Sequence, residues 1–120
     1  MITITTYGVL HGNPPHEDKP VISVDLTEAL RNPADDHSLI YMTGLDDKVR
    51  DHVLTTPGAG AVINNTINQI LYTMRDVHIY CQGGRHRSVA IAEAVATRLR
   101  HHGFAVEVHH RDIDKPVKRK

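Results

Sequence analysis

Val77-His78-Ile79-Tyr80-Cys81-Gln82-Gly83-Gly84-Arg85-His86-Arg87-Ser88-Val89 passes from an apolar, β-type run through a glycine-bearing loop into an alanine-rich run. Downstream, Val89, Ala92, Val95, Ala96 and Leu99 form one apolar stripe, which predicts a helix from Arg87 to His102. Gly103 is a left-handed stop after the basic last turn of Arg98, Arg100, His101 and His102, and Phe104–Val108 then alternates as a strand. Strand, helix and strand make a βαβ unit, whose strands run parallel with a right-handed crossover. In open α/β sheets ligands collect outside the carboxyl ends of the strands, which is where Cys81–Ser88 falls.

That junction has the chemistry of an anion cradle. The first N–H groups of a helix lack intrahelical partners and carry the positive end of its dipole, so a phosphate can satisfy several at once. Gly83 and Gly84 remove Cβ atoms that would hold a ligand off the backbone. The expected contacts are the N–H groups from Gly83 to Ser88, the Ser88 hydroxyl, a charge-assisted fork from Arg87 and a proton-dependent donor from His86. Three or four such bonds at about 1.5–3 kcal/mol each stand against an association cost of about 4–15 kcal/mol, so bare phosphate is expected to bind weakly. The organic half of a ligand needs further contacts, for which the Tyr7-Gly8 and Thr43–Asp46 loops are the natural suppliers.

Upstream, Ile2–Thr6 alternates as a first strand ending at Tyr7-Gly8, and Val21–Asp25 reads as a second. Turn formers fill Asn32-Pro33-Ala34-Asp35-Asp36. Helices are expected over Asp46–Leu54 and Gly60–Arg75, the latter with Val62, Ile63, Ile67, Ile70, Leu71 and Met74 on one face, and Asp46 is also a candidate helix cap. The predicted fold class is α/β, a small, mostly parallel sheet with covering helices.

A chain of 120 residues forms one domain with one core, and 14 Lys plus Arg against 14 Asp plus Glu leave no global attraction to nucleic acid or membrane. A single cysteine, Met1-Ile2-Thr3-Ile4-Thr5 in place of a signal peptide, and no apolar run near the roughly 20 residues of a membrane span point to the cytoplasm. Of the ten histidines, neither His101-His102 nor His109-His110 can chelate as a neighbouring pair, so no metal or other cofactor is expected. His78 reads as a core residue.

Two alternatives attach to the loop itself. Cys81 and Arg87 stand at the Cys-x5-Arg spacing of cysteine-dependent phosphatases, with Ser88 placed to assist a leaving thiolate and Asp25, Asp46 or Asp112 as candidate acids. His86 replaces the glycine such enzymes favour before the Arg, and Tyr80 the histidine they often carry before the Cys. The blander reading makes Cys81 a small buried hydrophobe and pairs Arg87 with Asp46 or Asp112.

Taken together, Thr6-Tyr7-Gly8 with Gly12 and Pro14, Asn32-Pro33, Thr43-Gly44-Leu45-Asp46, the Cys81–Val89 loop and His110-Arg111-Asp112 resemble, in order and rough spacing, the RapZ C-terminal domain family. The resemblance implies a phosphofructokinase-subdomain-like fold, a non-enzymatic site for an amino-sugar phosphate, and in some members an RNA-binding adaptor role. It divides the chain into a domain of residues 1–112 and a basic tail of residues 113–120. Full-length members carry an N-terminal phosphate-loop domain, and with no Gly-x4-Gly-Lys-Ser/Thr in the sequence the expectation is a stand-alone C-terminal module. Gln82 replaces a small hydroxylated residue of the family pattern, Arg85 a Gln or similar residue, and Thr27 an arginine for which Arg31 is the substitute.

The candidate ligand set is Cys81, Gln82, Gly83, Gly84, His86, Arg87, Ser88, Tyr7, Gly8, Thr43 and Gly44, and the candidate RNA set Arg111, Lys115, Lys118, Arg119 and Lys120. The expected partner is a phosphorylated small molecule, with RNA, a protein partner and a homo-oligomer as open alternatives and no membrane.

Overall fold

A computed structural model of the chain describes residues 1–33 and 36–117. Its elements are β1 (Ile2–Gly8), β2 (Ile22–Asp25), α1 (Asp47–Leu54), α2 (Ala59–Thr73), β3 (Val77–Cys81), α3 (Arg87–His101) and β4 (Val106–His110), with a 3-10 turn at Val9–His11. The strands form one four-stranded sheet in the order β2-β3-β1-β4. Every neighbouring pair is parallel, so β3 and β4 of the βαβ unit run parallel, but β1 lies between them and pairs with both.

The three helices share one face of the sheet. α3 lies against β1, β3 and β4, α2 lies against β2, and α1 packs on both other helices. The strands alternate accordingly: Ile2, Ile4, Ile22, Val77, Ile79 and Cys81 point into the core, while Thr3, Thr5, Ser23 and Glu107 lie on the other side. All of the predicted α3 stripe, Val89, Ala92, Val95, Ala96 and Leu99, is fully buried. At about 1.5–3 kcal/mol for each large apolar side chain, this seam fixes α3 to the sheet and thereby aims its N-terminus. No helix among the described residues is long and apolar enough to cross a membrane.

Several boundaries differ from the sequence reading for physical reasons. β1 runs on to Gly8 because its pairing with β3 continues there, Tyr7 in register with Tyr80 and Gly8 with Cys81, whereas its pairing with β4 ends at Thr6. β4 starts at Val106 because Gly103, at φ +86°, and the Phe104 N–H bonded to the Leu99 carbonyl are used to close α3. α2 stops at Thr73 because Met74 turns left-handed at φ +53° and caps the helix. Met74 thereby leaves the buried face predicted for it and is 57% exposed, and Leu71, within α2 but beside the buried row of Ile63, Ile67 and Ile70, is 47% exposed. His78 is buried on the face opposite the helical core, where its Nε2 meets Glu17 at 2.9 Å.

At the carboxyl end of the sheet the packing is backbone against backbone. A Cβ built on Gly8 would lie 2.2 Å from the carbonyl carbon of Gly83 and 2.5 Å from the nitrogen of Gly84. Gly84 itself sits at φ +69°, with the Gly8 nitrogen 2.4 Å from any added Cβ, whereas a Cβ on Gly83 meets only open space. Gly8→Ala and Gly84→Ala are therefore expected to lower unfolding free energy by about 1–3 kcal/mol or more in urea titrations. Gly83→Ala should stay within about 0.5 kcal/mol of the parent.

Candidate functional site

The loop Gln82–His86 leaves β3 and enters α3, whose first intrahelical bond is Ala90 N–H to the His86 carbonyl at 2.9 Å. The N–H groups of Arg87, Ser88 and Val89 precede it and form the open start of the helix. Gly44 covers part of this end, because a Cβ there would fall 2.5 Å from the Ala90 nitrogen and 2.6 Å from the His86 carbonyl. Its own N–H donates to the Arg85 carbonyl at 2.9 Å. Thr43 turns toward Asp46, whose carboxylate accepts the Thr43 N–H at 2.7 Å. Asp46 occupies the N-cap position of α1, but its side chain closes this turn and bonds no helical N–H.

Cys81 is buried, its thiol donating to the Ser88 hydroxyl at 3.2 Å and accepting the Gly84 N–H at 3.3 Å. His86, 7% exposed, faces the Ile40 carbonyl through Nε2 at 3.1 Å. Burial pushes its pKa below the ordinary value, the carbonyls of Met42 and Ile40 partly opposing this, so near neutral pH the ring is an uncharged donor. Arg85 ties three carbonyls together: Met42 and Ile113, each at 3.0 Å, and Tyr41.

Arg87 is 4% exposed, and no carboxylate among the described residues pairs with it. The alternative partners Asp46 and Asp112 are engaged elsewhere. Nη1 of Arg87 instead donates to the carbonyls of Thr27 at 3.3 Å and Ala29 at 3.1 Å. Nε is buried without a hydrogen-bond partner. One edge of the planar guanidinium is thus held by carbonyls, and the Nε–Nη2 edge, the side-on fork for a carboxylate or phosphate, is free of protein acceptors among the described residues. Gln82 adds its side-chain amide to the same Thr27 carbonyl at 3.4 Å. Next in the turn, Leu30 has φ +66°, a left-handed conformation that costs an L-residue about 1–2 kcal/mol.

Asp112 organises the other side of the strand ends. Fully buried, it accepts the Gly8 N–H at 2.8 Å, both Nε and Nη2 of Arg111, and Nζ of Lys115 at 2.5 Å. Burial alone would raise its pKa, but the Arg111, Gly8 and Lys115 hydrogen bonds outweigh it and hold the carboxyl at about 2. Arg111 also bonds the Asn13 carbonyl and lies 5.1 Å over the Tyr7 ring. Tyr7, buried, stacks on Tyr80 at 5.0 Å on the sheet face away from the helices.

The structure thus gathers Cys81, Gln82, Gly83, Gly84, His86, Arg87 and Ser88 into one turn, with Gly8 and Gly44 as its supports and Thr43 one turn further out. Arg111 and Lys115 of the candidate RNA set are bound to Asp112, and Lys118, Arg119 and Lys120 lie outside the described residues. No group of three or more metal-ligating side chains occurs among the described residues. The carbonyls of Thr27 and Ala29 escaped the sequence reading, since backbone acceptors carry no residue signal. Asp112 stood in the sequence reading as a candidate acid, as a partner for Arg87 and within His110-Arg111-Asp112, but its role as a hub for Gly8, Arg111 and Lys115 had no local signal.

A parallel α/β module with helices on one face and a glycine loop feeding a helix N-terminus defines the class. The chain belongs to the RapZ C-terminal domain family, whose model matches residues 1–114. It is 30% identical to a nucleotide-binding protein of Caldicellulosiruptor bescii over 98% of this chain and 43% of that protein. For nucleotide-binding protein jk1004 of Corynebacterium jeikeium the identity is 35%, over 95% of this chain and 41% of the relative. A nucleotide-binding protein of Acidothermus cellulolyticus is 36% identical over 94% and 40% respectively. The chain therefore spans about two fifths of the length of these curated relatives.

Because the folded pKa of Asp112 lies below its ordinary 3.8, its contribution is complete above about pH 4 and is lost as pH falls toward 2. Asp112→Asn is expected to cost about 2 kcal/mol near neutral pH and to flatten the acid limb of stability between about pH 4 and 2, read by urea unfolding at several pH values.

Proposed function

We infer that the domain binds a phosphorylated metabolite, its phosphate seated on the Gly83–Ser88 turn against Arg87. The observation that carries this reading is a buried guanidinium with two carbonyls on one edge and, among the described residues, no carboxylate on the other. A buried charge costs several kcal/mol unless it is answered, and an oxyanion about 4 Å away recovers about 4 kcal/mol at an effective dielectric constant near 20. The open start of α3 adds N–H groups of matching sign.

Family membership supports a binding role, and the relatives' name, nucleotide-binding protein, fits a ligand that carries phosphate. The amino-sugar half of the ligand rests on the family resemblance. A phosphatase reading fits the geometry less well, because the Cys81 sulfur is buried and engaged by Ser88 and Gly84. RNA binding by the tail draws less support, since Arg111 and Lys115 are occupied by Asp112.

Isothermal titration with glucosamine 6-phosphate, inorganic phosphate and glucosamine tests the reading. The two phosphate-bearing ligands should bind, inorganic phosphate only at about millimolar Kd, and glucosamine should not. Arg87→Lys, which keeps the charge and loses the fork, should weaken phosphate binding by about tenfold. No heat from any phosphate-bearing ligand at millimolar concentration would overturn it.

A further inference from the structure

We propose that the Thr27–Leu30 turn is a gate over Arg87, closed in this structure and opened by the incoming oxyanion; the proposal rests on the binding role inferred above. Access is the first reason. Arg87 is 4% exposed, Ser88 and Val89 are fully buried, and Nε has no partner among the described residues and essentially no solvent-facing surface. An anion reaches that fork only after a neighbouring segment moves.

Most neighbours cannot move cheaply. Gly44 is in backbone contact with the first turn of α3, and Gly8 with Gly83 and Gly84. Arg85 is bonded to the carbonyls of Tyr41, Met42 and Ile113, and Cys81 to Ser88 and Gly84. These contacts make the loop and the 40–46 segment a fixed frame.

The turn is held differently. Its grip on the site consists of Thr27 O at 3.3 Å and Ala29 O at 3.1 Å from Arg87 Nη1, and Gln82 Nε2 at 3.4 Å from the same Thr27 carbonyl. All three are longer than the roughly 2.7–2.9 Å of strong charge-assisted bonds. On one flank it is firmly tied, Leu26 donating to the Tyr80 carbonyl at 2.8 Å and Thr27 N–H to Asp25 at 2.8 Å. On the other, Arg31 N–H reaches Thr56 Oγ1 at 3.4 Å.

Between the flanks sits Leu30 in the left-handed region. The other such non-glycine residue among those described, Met74, caps a helix, where that conformation is ordinary, but Leu30 ends no helix. Half-buried packing of Ala29 and Leu30 on the core keeps the turn closed against this strain. An oxyanion on the fork neutralises the charge that attracts the two carbonyls, so the closing contacts weaken as the ligand binds and the strain favours release.

Leu30→Ala separates a gate from a passive support. Alanine keeps the left-handed strain and removes the packing that holds the turn down, so inorganic phosphate should bind roughly 3- to 10-fold tighter than to the parent chain in NMR titrations. In the parent chain, amide exchange at residues 29–31 should accelerate at saturating phosphate. Weaker or unchanged phosphate binding by Leu30→Ala, or slowed exchange, would show that the turn merely steadies Arg87 and overturn the gate while leaving the binding role intact. Failure of inorganic phosphate to perturb the Arg87 and Ser88 resonances of either protein at tens of millimolar would remove the binding role and the gate together.

Discussion

Main chain touches main chain where Gly8 meets Gly83 and Gly84, and much of the site's geometry follows from that contact. With no side chain between them, the end of β1 and the turn after β3 act as one rigid piece. The Gly8 N–H is taken by Asp112, whose carboxylate in turn holds Arg111 and Lys115. Thus the end of β4 is joined to the same piece, and α3 starts from a platform made by three strands.

Three arginines near this platform do different work. Arg111 is neutralised by a carboxylate, and Arg85 is consumed by carbonyls of the 41–42 segment and Ile113. Arg87 alone combines deep burial with a free donor edge among the described residues. The difference matters because guanidinium does not lose its proton at accessible pH, so burial without a counter-ion stores electrostatic free energy that an oxyanion can recover.

The fold was largely legible because its signals are periodic and local. The α3 stripe, the Gly103 stop and the alternation of β1 each follow from spacing along the chain. The errors came where tertiary pairing sets the boundary: β4 shifted two residues toward its carboxyl end to stay in register with Ile2, and Leu71 and Met74 fell outside the packed face of α2. At the site, the Cys81–Ser88 turn was legible from its glycines and its place before a helix. What answers Arg87 was not, since a carbonyl of Thr27 looks like any other carbonyl and leucine gives no hint of a left-handed backbone at position 30.

The strand order also bears on how the chain acquires its structure during synthesis. β1, made before every other element of this domain, lies between β3 and β4, both made from the later half of the sequence. Nascent β1 has neither flanking strand to bond until residue 81 has emerged, and its second edge stays open until residue 110 does. Such long-range parallel pairing makes folding slow and late, leaving an apolar inner strand with bare edges while the rest of the domain is made.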